Sequence, residues 1–127
     1  MKKIACLFVA VVTLVALTRA QEKKGWKEMD DFHTVMSATF HPAEEGHLDA
    51  IKKRSQEMAD KAAAWQKSTA PDGYDKEKVE VSLKKLVQGT KELNKLVKAK
   101  SADKVLKEKL SGLHDIFHEI MEKCEKE

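Results

Sequence analysis

Histidine is the residue whose spacing most strongly suggests chemistry in this chain. His114 and His118 are four residues apart in the segment LHDIFHEIMEKC, so on a helix both imidazoles project from the same side. Near the other end of the chain, the segment DDFHTVMSATFH carries His33, Met36 and His41. Imidazole nitrogens bind zinc, nickel, copper and haem iron, and a thioether sulfur binds haem iron or copper. The two segments therefore predict a metal or haem site, provided the fold brings them together.

Four segments carry apolar residues at the three- and four-residue spacing of a helix seam, and no segment alternates with the period of two typical of a strand. The predicted helices have about 15, 20, 23 and 23 residues. Pro42 is expected to end the first, with a kinked continuation through it as the alternative. The turn residues 71–73 follow the second, and Asp75 and Ser101 are the predicted N-caps of the third and fourth. The predicted seams are Met29, Phe32, Met36 and Phe40; Leu48, Ile51, Ser55, Met58, Ala62 and Trp65; Val79, Leu83, Leu86, Thr90, Leu93 and Val97; and Leu106, Leu110, Leu113, Phe117, Ile120 and Cys124.

These lengths and short connections predict an all-α fold, an up-down-up-down four-helix bundle formed by residues 21–127. In this topology the first and last helices are antiparallel neighbours. Met36 lies about nine residues after its helix starts and His118 about eight before its helix ends, which at about 1.5 Å of rise per residue puts them at nearly the same height. His33 and His114 fall within a turn of that level. The bundle is therefore expected to bring the two histidine segments together.

Residues 1–20 have the pattern of a cleaved signal peptide: a basic start, an apolar run over residues 4–17 and a small residue, Ala20, at the cleavage point. The alternative is a retained N-terminal anchor. The segment holds Lys2, Lys3 and Arg19 and no acidic residue, so its removal changes the net charge from +3 to zero. We therefore expect a periplasmic protein that meets the membrane only through the signal peptide before cleavage and does not bind nucleic acid.

The helix order and the positions of Met36 and His118 resemble the periplasmic four-helix cytochromes, the superfamily of cytochrome c-prime and the small soluble b-type cytochrome. The resemblance covers essentially all of residues 21–127. It implies a non-covalent haem b with Met36 and His118 as axial ligands, His33 or His114 as substitutes, and a redox partner protein for electron transfer. The segment HDIFH has His114 and Phe117 where cytochrome c-prime has two cysteines, so covalent haem attachment is excluded.

Two other functions remain open. A non-haem site for copper, zinc or nickel, serving sensing or sequestration, would use His33, His114 and His118, with His41 or Cys124 completing the shell. A cofactor-free helical chaperone or stress protein would instead present an exposed apolar groove. The histidines also flank the seams, so the pattern allows them to face either the interior or water.

An enzyme is not expected, because the chain has no Ser-His-Asp-like grouping, no glycine-rich phosphate loop and no paired carboxylates beside a base. Asp115 is a candidate to orient a histidine from behind. After cleavage Cys124 is the only cysteine, which excludes a disulfide within the chain. The expected oligomeric state is a monomer or a weak dimer.

Overall fold

The structure is a computed structural model that describes residues 25–124, so the predicted signal peptide at 1–20 lies outside the described residues. Four helices follow one another: α1 (Lys27–Glu44), α2 (Asp49–Lys67), α3 (Lys76–Lys98) and α4 (Asp103–Lys123). Each helix packs against the next, and α1 packs against α4. Within the described residues the backbones of the diagonal pairs, α1 with α3 and α2 with α4, do not approach each other, and large side chains such as Trp65 of α2 and Phe117 of α4 meet across the core between them. The predicted all-α four-helix bundle is confirmed.

The predicted seams form the core of the bundle. All predicted seam residues of α2 and α4 are buried, as are those of α3 except the half-buried Val97. In α1, Phe32 and Met36 are buried, whereas Met29 and Phe40 are half-buried. The apolar spacing missed four further buried residues of this region, Trp26, Val35, Thr39 and Ala43. The α1 seam is therefore broader than predicted and centred closer to Met36.

Aromatic rings fill one part of this core. Trp65 is fully buried and lies against Trp26, Phe32 and Phe117, with ring centroids 5.6, 5.5 and 5.9 Å away. The Trp26 indole donates a hydrogen bond to Ser68 Oγ at 2.9 Å, whereas the Trp65 indole N–H has no acceptor among the described residues. A buried donor without an acceptor costs about 1–3 kcal/mol, so the packing of these rings must offset that cost.

The prediction that Pro42 ends the first helix is wrong, since α1 continues through Pro42 to Glu44. Pro42 cannot donate to the carbonyl of Ala38, but it lies in the last turn and only two helical residues follow it, so the disturbance does not spread along the helix. The carbonyl of Pro42 accepts from His47 N at 2.9 Å and that of Ala43 from Gly46 N at 3.0 Å, the two bonds of a Schellman motif. Gly46 adopts φ 91°, the left-handed conformation this motif requires.

The two predicted N-caps have opposite outcomes. Asp75 caps α3, and its side chain accepts from the backbone N–H groups of Glu77 and Lys78. Ser101 does not cap α4, because the N-cap is Ala102 and no side chain bonds to that helix end. The backbone N–H of Ser101 instead donates to the carbonyl of Leu96 at 3.0 Å, which closes the end of α3.

No helix within residues 25–124 combines the length and the apolar character needed to cross a membrane.

Candidate metal site

The interface between α1 and α4 brings the two histidine-bearing segments together. The His33 ring stacks on Phe117 at a centroid distance of 5.0 Å, and the Phe40 ring stacks on His114 at 3.8 Å with an interplanar angle of 12°. Residue numbers rise along α1 while they fall along α4, so the two helices are antiparallel. Met36 lies in sequence between the two α1 contact residues and therefore between these two levels.

Two imidazole nitrogens converge on the α4 side of this interface. Nε2 of His114 lies 3.1 Å from Nε2 of His118, and the two rings meet edge to face with centroids 4.4 Å apart. Both residues are half-buried, and the His118 side chain is 40% exposed. One side of the pair rests on the Phe40 and Phe117 rings, and the other side reaches solvent. The pair is therefore held by packing yet accessible to a small ligand.

Glu122 contacts the His118 ring at Nδ1, the nitrogen that does not face His114. Its Oε1 lies 3.3 Å from His118 Nδ1, and a carboxylate oxygen only accepts hydrogen bonds. Neutral His118 therefore carries its proton on Nδ1 and has a lone pair on Nε2. The short contact between the two Nε2 atoms is then a hydrogen bond donated by His114 Nε2–H. Two nitrogens thus share a single proton.

The surroundings of His114 favour its neutral form. Burial lowers the pKa of His114 below the ordinary value of 6.5, and the nearby His118 lowers it further. Asp115 and Glu44 act in the opposite direction, with smaller effects. Metal ions bind the neutral imidazole, so a lowered pKa keeps His114 in its binding form to lower pH.

The other predicted ligands do not join the pair. Met36 is only 1% exposed and is part of the core. His33 is exposed with its ring on Phe117, and His41 is exposed with Nδ1 4.0 Å from Glu44 Oε1. Between residues 25 and 124, no group of three or more His, Cys, Asp and Glu side chains is arranged to hold a metal ion.

Cys124 lies on the α3 side of the bundle instead. It is buried, and its carbonyl oxygen accepts a hydrogen bond from Asp75 N at 2.7 Å. Burial raises the pKa of the thiol, and a hydrogen bond with Ser82 only partly opposes this rise. A buried thiol that stays protonated is a poor metal ligand, because metals bind the thiolate. Cys124 therefore has the surroundings of a core residue.

A haem held by Met36 and His118 would need a planar space between α1 and α4. The structure fills this interface with rings that contact one another, including Phe32 against Phe117 at 5.8 Å and Phe40 against His114. Entry of a porphyrin would require α1 and α4 to separate. The arrangement thus has room for an ion at the histidine pair, whereas a haem would need a rearranged core.

A groove on the opposite side of α4 bears on the cofactor-free alternative. It has a volume of about 430 Å³ and lies between α3 and the end of α4. Val81, which is 56% exposed, lines it together with charged side chains of both signs, Glu77, Lys78, Lys85 and Glu119. The groove is of mixed polarity, whereas the chaperone alternative predicts an apolar one.

Sequence reasoning missed the two residues that fix the pair. Glu122 follows His118 by four residues, so helical spacing alone could have identified it. The carboxylate in contact with the pair is Glu122, while Asp115 acts on His114 only through its charge. The sequence places Phe40 on the apolar seam of α1, and no sequence signal indicates that its ring covers His114.

Comparison with known proteins assigns no family to the chain: no protein-family model, no curated protein and no solved structure matches it. The resemblance to the four-helix cytochromes stays a prediction, and the functional argument depends on the geometry of the histidine pair.

Proposed function

We propose that this protein binds one divalent transition metal ion, zinc, copper or nickel, through Nε2 of His114 and Nε2 of His118. The observation that carries the proposal is the 3.1 Å separation of these two atoms. Two nitrogens this far apart, each about 2.0–2.1 Å from one ion, subtend roughly 100° at the metal. That angle falls between those of square-planar and tetrahedral sites, and it suits zinc, copper or nickel bound by imidazole.

The proton shared by the two rings occupies the position that the metal would take. When an ion binds, the His114 proton must move from Nε2 to Nδ1, which leaves both Nε2 lone pairs for the ion. His118 needs no such change, since Glu122 already holds its proton on Nδ1. A carboxylate behind a ligating imidazole is a common arrangement in metal sites, where it orients the ring and raises its basicity.

The open side of the pair indicates how such a site would be used. Two protein ligands leave the remaining coordination positions to water or to another molecule, so the ion can enter and leave without unfolding the bundle. Capture or transfer of metal fits this arrangement better than electron transfer, which requires a fixed and shielded coordination shell. The proposal thus follows the non-haem alternative, with sequestration as the role.

Binding can be tested with the purified, tag-free chain by calorimetric titration with zinc, copper and nickel salts. His118→Gln and His114→Gln should each abolish tight binding, because one imidazole cannot chelate. Glu122→Gln should weaken binding by roughly 10- to 100-fold while the fold, measured by circular dichroism, is retained. His47→Gln is the matched control, since this exposed histidine follows α1 at the turn and should leave the affinity unchanged.

The same material distinguishes the other functions. If the protein binds haem through His118, titration with haemin should give a Soret band that is absent in His118→Ala. We expect no such difference, and finding one would favour the cytochrome alternative. If the chain binds none of the three metals, zinc, copper and nickel, the proposal is refuted. His33→Gln and His41→Gln should have little effect, and a large loss of affinity in either variant would restore the larger predicted ligand set.

A further inference from the structure

The histidine pair supplies only half of a metal's coordination shell. Zinc in proteins is almost always four-coordinate, and sites with open positions usually have three protein ligands. Within the described part of the chain, no third His, Cys, Asp or Glu side chain joins His114 and His118. On α1, His33 stacks on the Phe117 ring and His41 lies 4.0 Å from Glu44, and neither forms a ligand group with the pair. The site of a single chain is therefore incomplete.

We infer that a second copy of the chain completes the shell, so that one metal ion is held by the His114 and His118 pairs of two copies. The inference rests on the proposed metal binding and adds the partner. A twofold axis through the ion relates the two pairs, which makes the contact isologous, the commonest symmetry of protein dimers. Four imidazole nitrogens with an angle of roughly 100° within each pair make a distorted tetrahedral zinc site.

The exposure of the pair allows this approach. The His118 side chain is 40% exposed, and its neighbour Glu122 is 63% exposed. The pair is thus exposed on the His118 side, and a second α4 can approach the same ion from there. The Phe40 and Phe117 rings beneath the pair keep it from retreating into the core.

The charges around the pair explain why the ion would be required. Asp115 and Glu44 lie close enough to act on His114, and Glu122 contacts His118. Basic groups also lie near: Lys107 Nζ is 3.4 Å from the Glu44 carbonyl oxygen, and His41 acts on His114 through its charge. In a twofold contact each acidic side chain approaches its counterpart in the other copy, which opposes association without metal. A divalent cation between the two copies offsets that repulsion, so the dimer should form only when the ion is present.

The test is sedimentation velocity of the tag-free chain as zinc is added. The expected result is a monomer without zinc, a doubling of mass that is complete at half an equivalent of zinc per chain, and a return to monomer with a chelator. His118→Gln should stay monomeric at every zinc concentration. The double variant His33→Gln/His41→Gln should dimerise like the parent chain, because neither side chain is needed when the second copy supplies the ligands.

Three results would overturn the inference, and they separate it from the proposed function. Zinc bound one per chain in a monomer would refute the bridge and leave metal binding intact, with α1 or water completing the shell. No zinc binding would refute the bridge, and failure to bind copper and nickel as well would refute the proposed function too. A dimer that forms equally without zinc, or in His118→Gln, would show that the copies associate through another surface.

Discussion

The α2–α3 and α1–α4 interfaces both contain polar side chains, but they satisfy them differently. Between α2 and α3, Ser55 Oγ donates to Asn94 Oδ1 at 2.8 Å, and Asn94 Nδ2 donates to Gln56 Oε1 at 2.7 Å. Ser55 and Asn94 are 3% and 9% exposed, so the bond between them is made inside the protein, whereas Gln56 lies at the surface. Between α1 and α4, the two imidazoles share one proton and remain half exposed.

The difference shows how one kind of residue placement can serve two purposes. A closed hydrogen-bond pair fixes the relative position of two helices, because a shift of either helix would leave a buried group without a partner. An open pair such as His114 and His118, which is partly exposed, has ring nitrogen lone pairs that an external ion can bind. The first arrangement contributes to the specificity of the fold, and the second is available for function.

The largest expected effect comes from removing the Phe117 ring, which lies beneath the His114–His118 pair. Phe117→Ala removes a ring that contacts Phe32, Trp65, His33 and His118. We expect a loss of about 3–5 kcal/mol in the free energy of unfolding, measured by denaturant titration, because a large core side chain leaves a cavity. Val81→Ala is the control, at an exposed position where the change should stay within about 0.5 kcal/mol. A loss below about 1 kcal/mol in Phe117→Ala would contradict the described packing.

Breaking the closed pair should have an intermediate effect. Asn94→Ala leaves the buried Ser55 hydroxyl without its acceptor, and we expect a loss of about 1–3 kcal/mol in the free energy of unfolding. The double variant Ser55→Ala/Asn94→Leu removes both partners and should recover most of that loss, since apolar groups of similar size need no hydrogen bond. The double-mutant cycle compares Ser55→Ala, Asn94→Leu and their combination, and strictly additive losses across it would show that the two side chains do not interact.

The α2–α3 and α1–α4 interfaces could be predicted from the sequence to different extents. Seam residues at helical spacing are enough to predict the bundle, as the buried positions Ile51, Met58 and Trp65 illustrate. Ser55 also lies on a seam, but its partner Asn94 lies one step off the predicted α3 seam. The pairing therefore needed the relative rotation of two helices, which periodicity within one helix does not supply.

The histidine site could be predicted only in part. Spacing placed His114 and His118 on one side of α4, and bundle topology placed α1 opposite. Positions that flank a seam can turn either way, so whether His33 would meet the pair or face water depended on packing around Phe117. The end of α1 escaped prediction for a related reason: the cost of Pro42 depends on how many helical residues follow, and only two do.

Gly112 and Gly89 lie on α4 and α3, and replacing them by alanine tests the packing of the α3–α4 interface. The expected change in the free energy of unfolding is about 1 kcal/mol. A Cβ at Gly112 would meet no other atom within 4 Å, so Gly112→Ala should raise the free energy of unfolding by about 1 kcal/mol through helix propensity. Gly89→Ala is the matched variant, in which the new methyl group would overlap Leu113 Cδ2. It should gain less or lose stability in thermal unfolding, and equal gains in both variants would contradict this close approach.

The smallest expected effect is a pH dependence specific to the open pair. The pKa of folded His114 is lowered below 6.5, so the unfolded chain binds more protons as the pH falls through this range. The contribution of His114 to stability is complete above about pH 6.5 and is lost progressively at lower pH. Partial exposure keeps the effect small. His114→Gln should flatten the slope of unfolding free energy against pH between about 5 and 7. The control variant Asn94→Ala should keep the slope of the parent chain. An unchanged slope in His114→Gln would show that other titrating groups cause the pH dependence.

The buried Trp65 gives the protein a built-in optical reporter. Its indole touches the Phe117 ring, which in turn touches His118, so two rings, Phe117 and the ligand His118, separate it from the proposed ion. Fluorescence from an indole with no water contact should be blue-shifted, and a paramagnetic copper ion at that range should quench it. Loading and release of copper could then be followed in real time without any added dye.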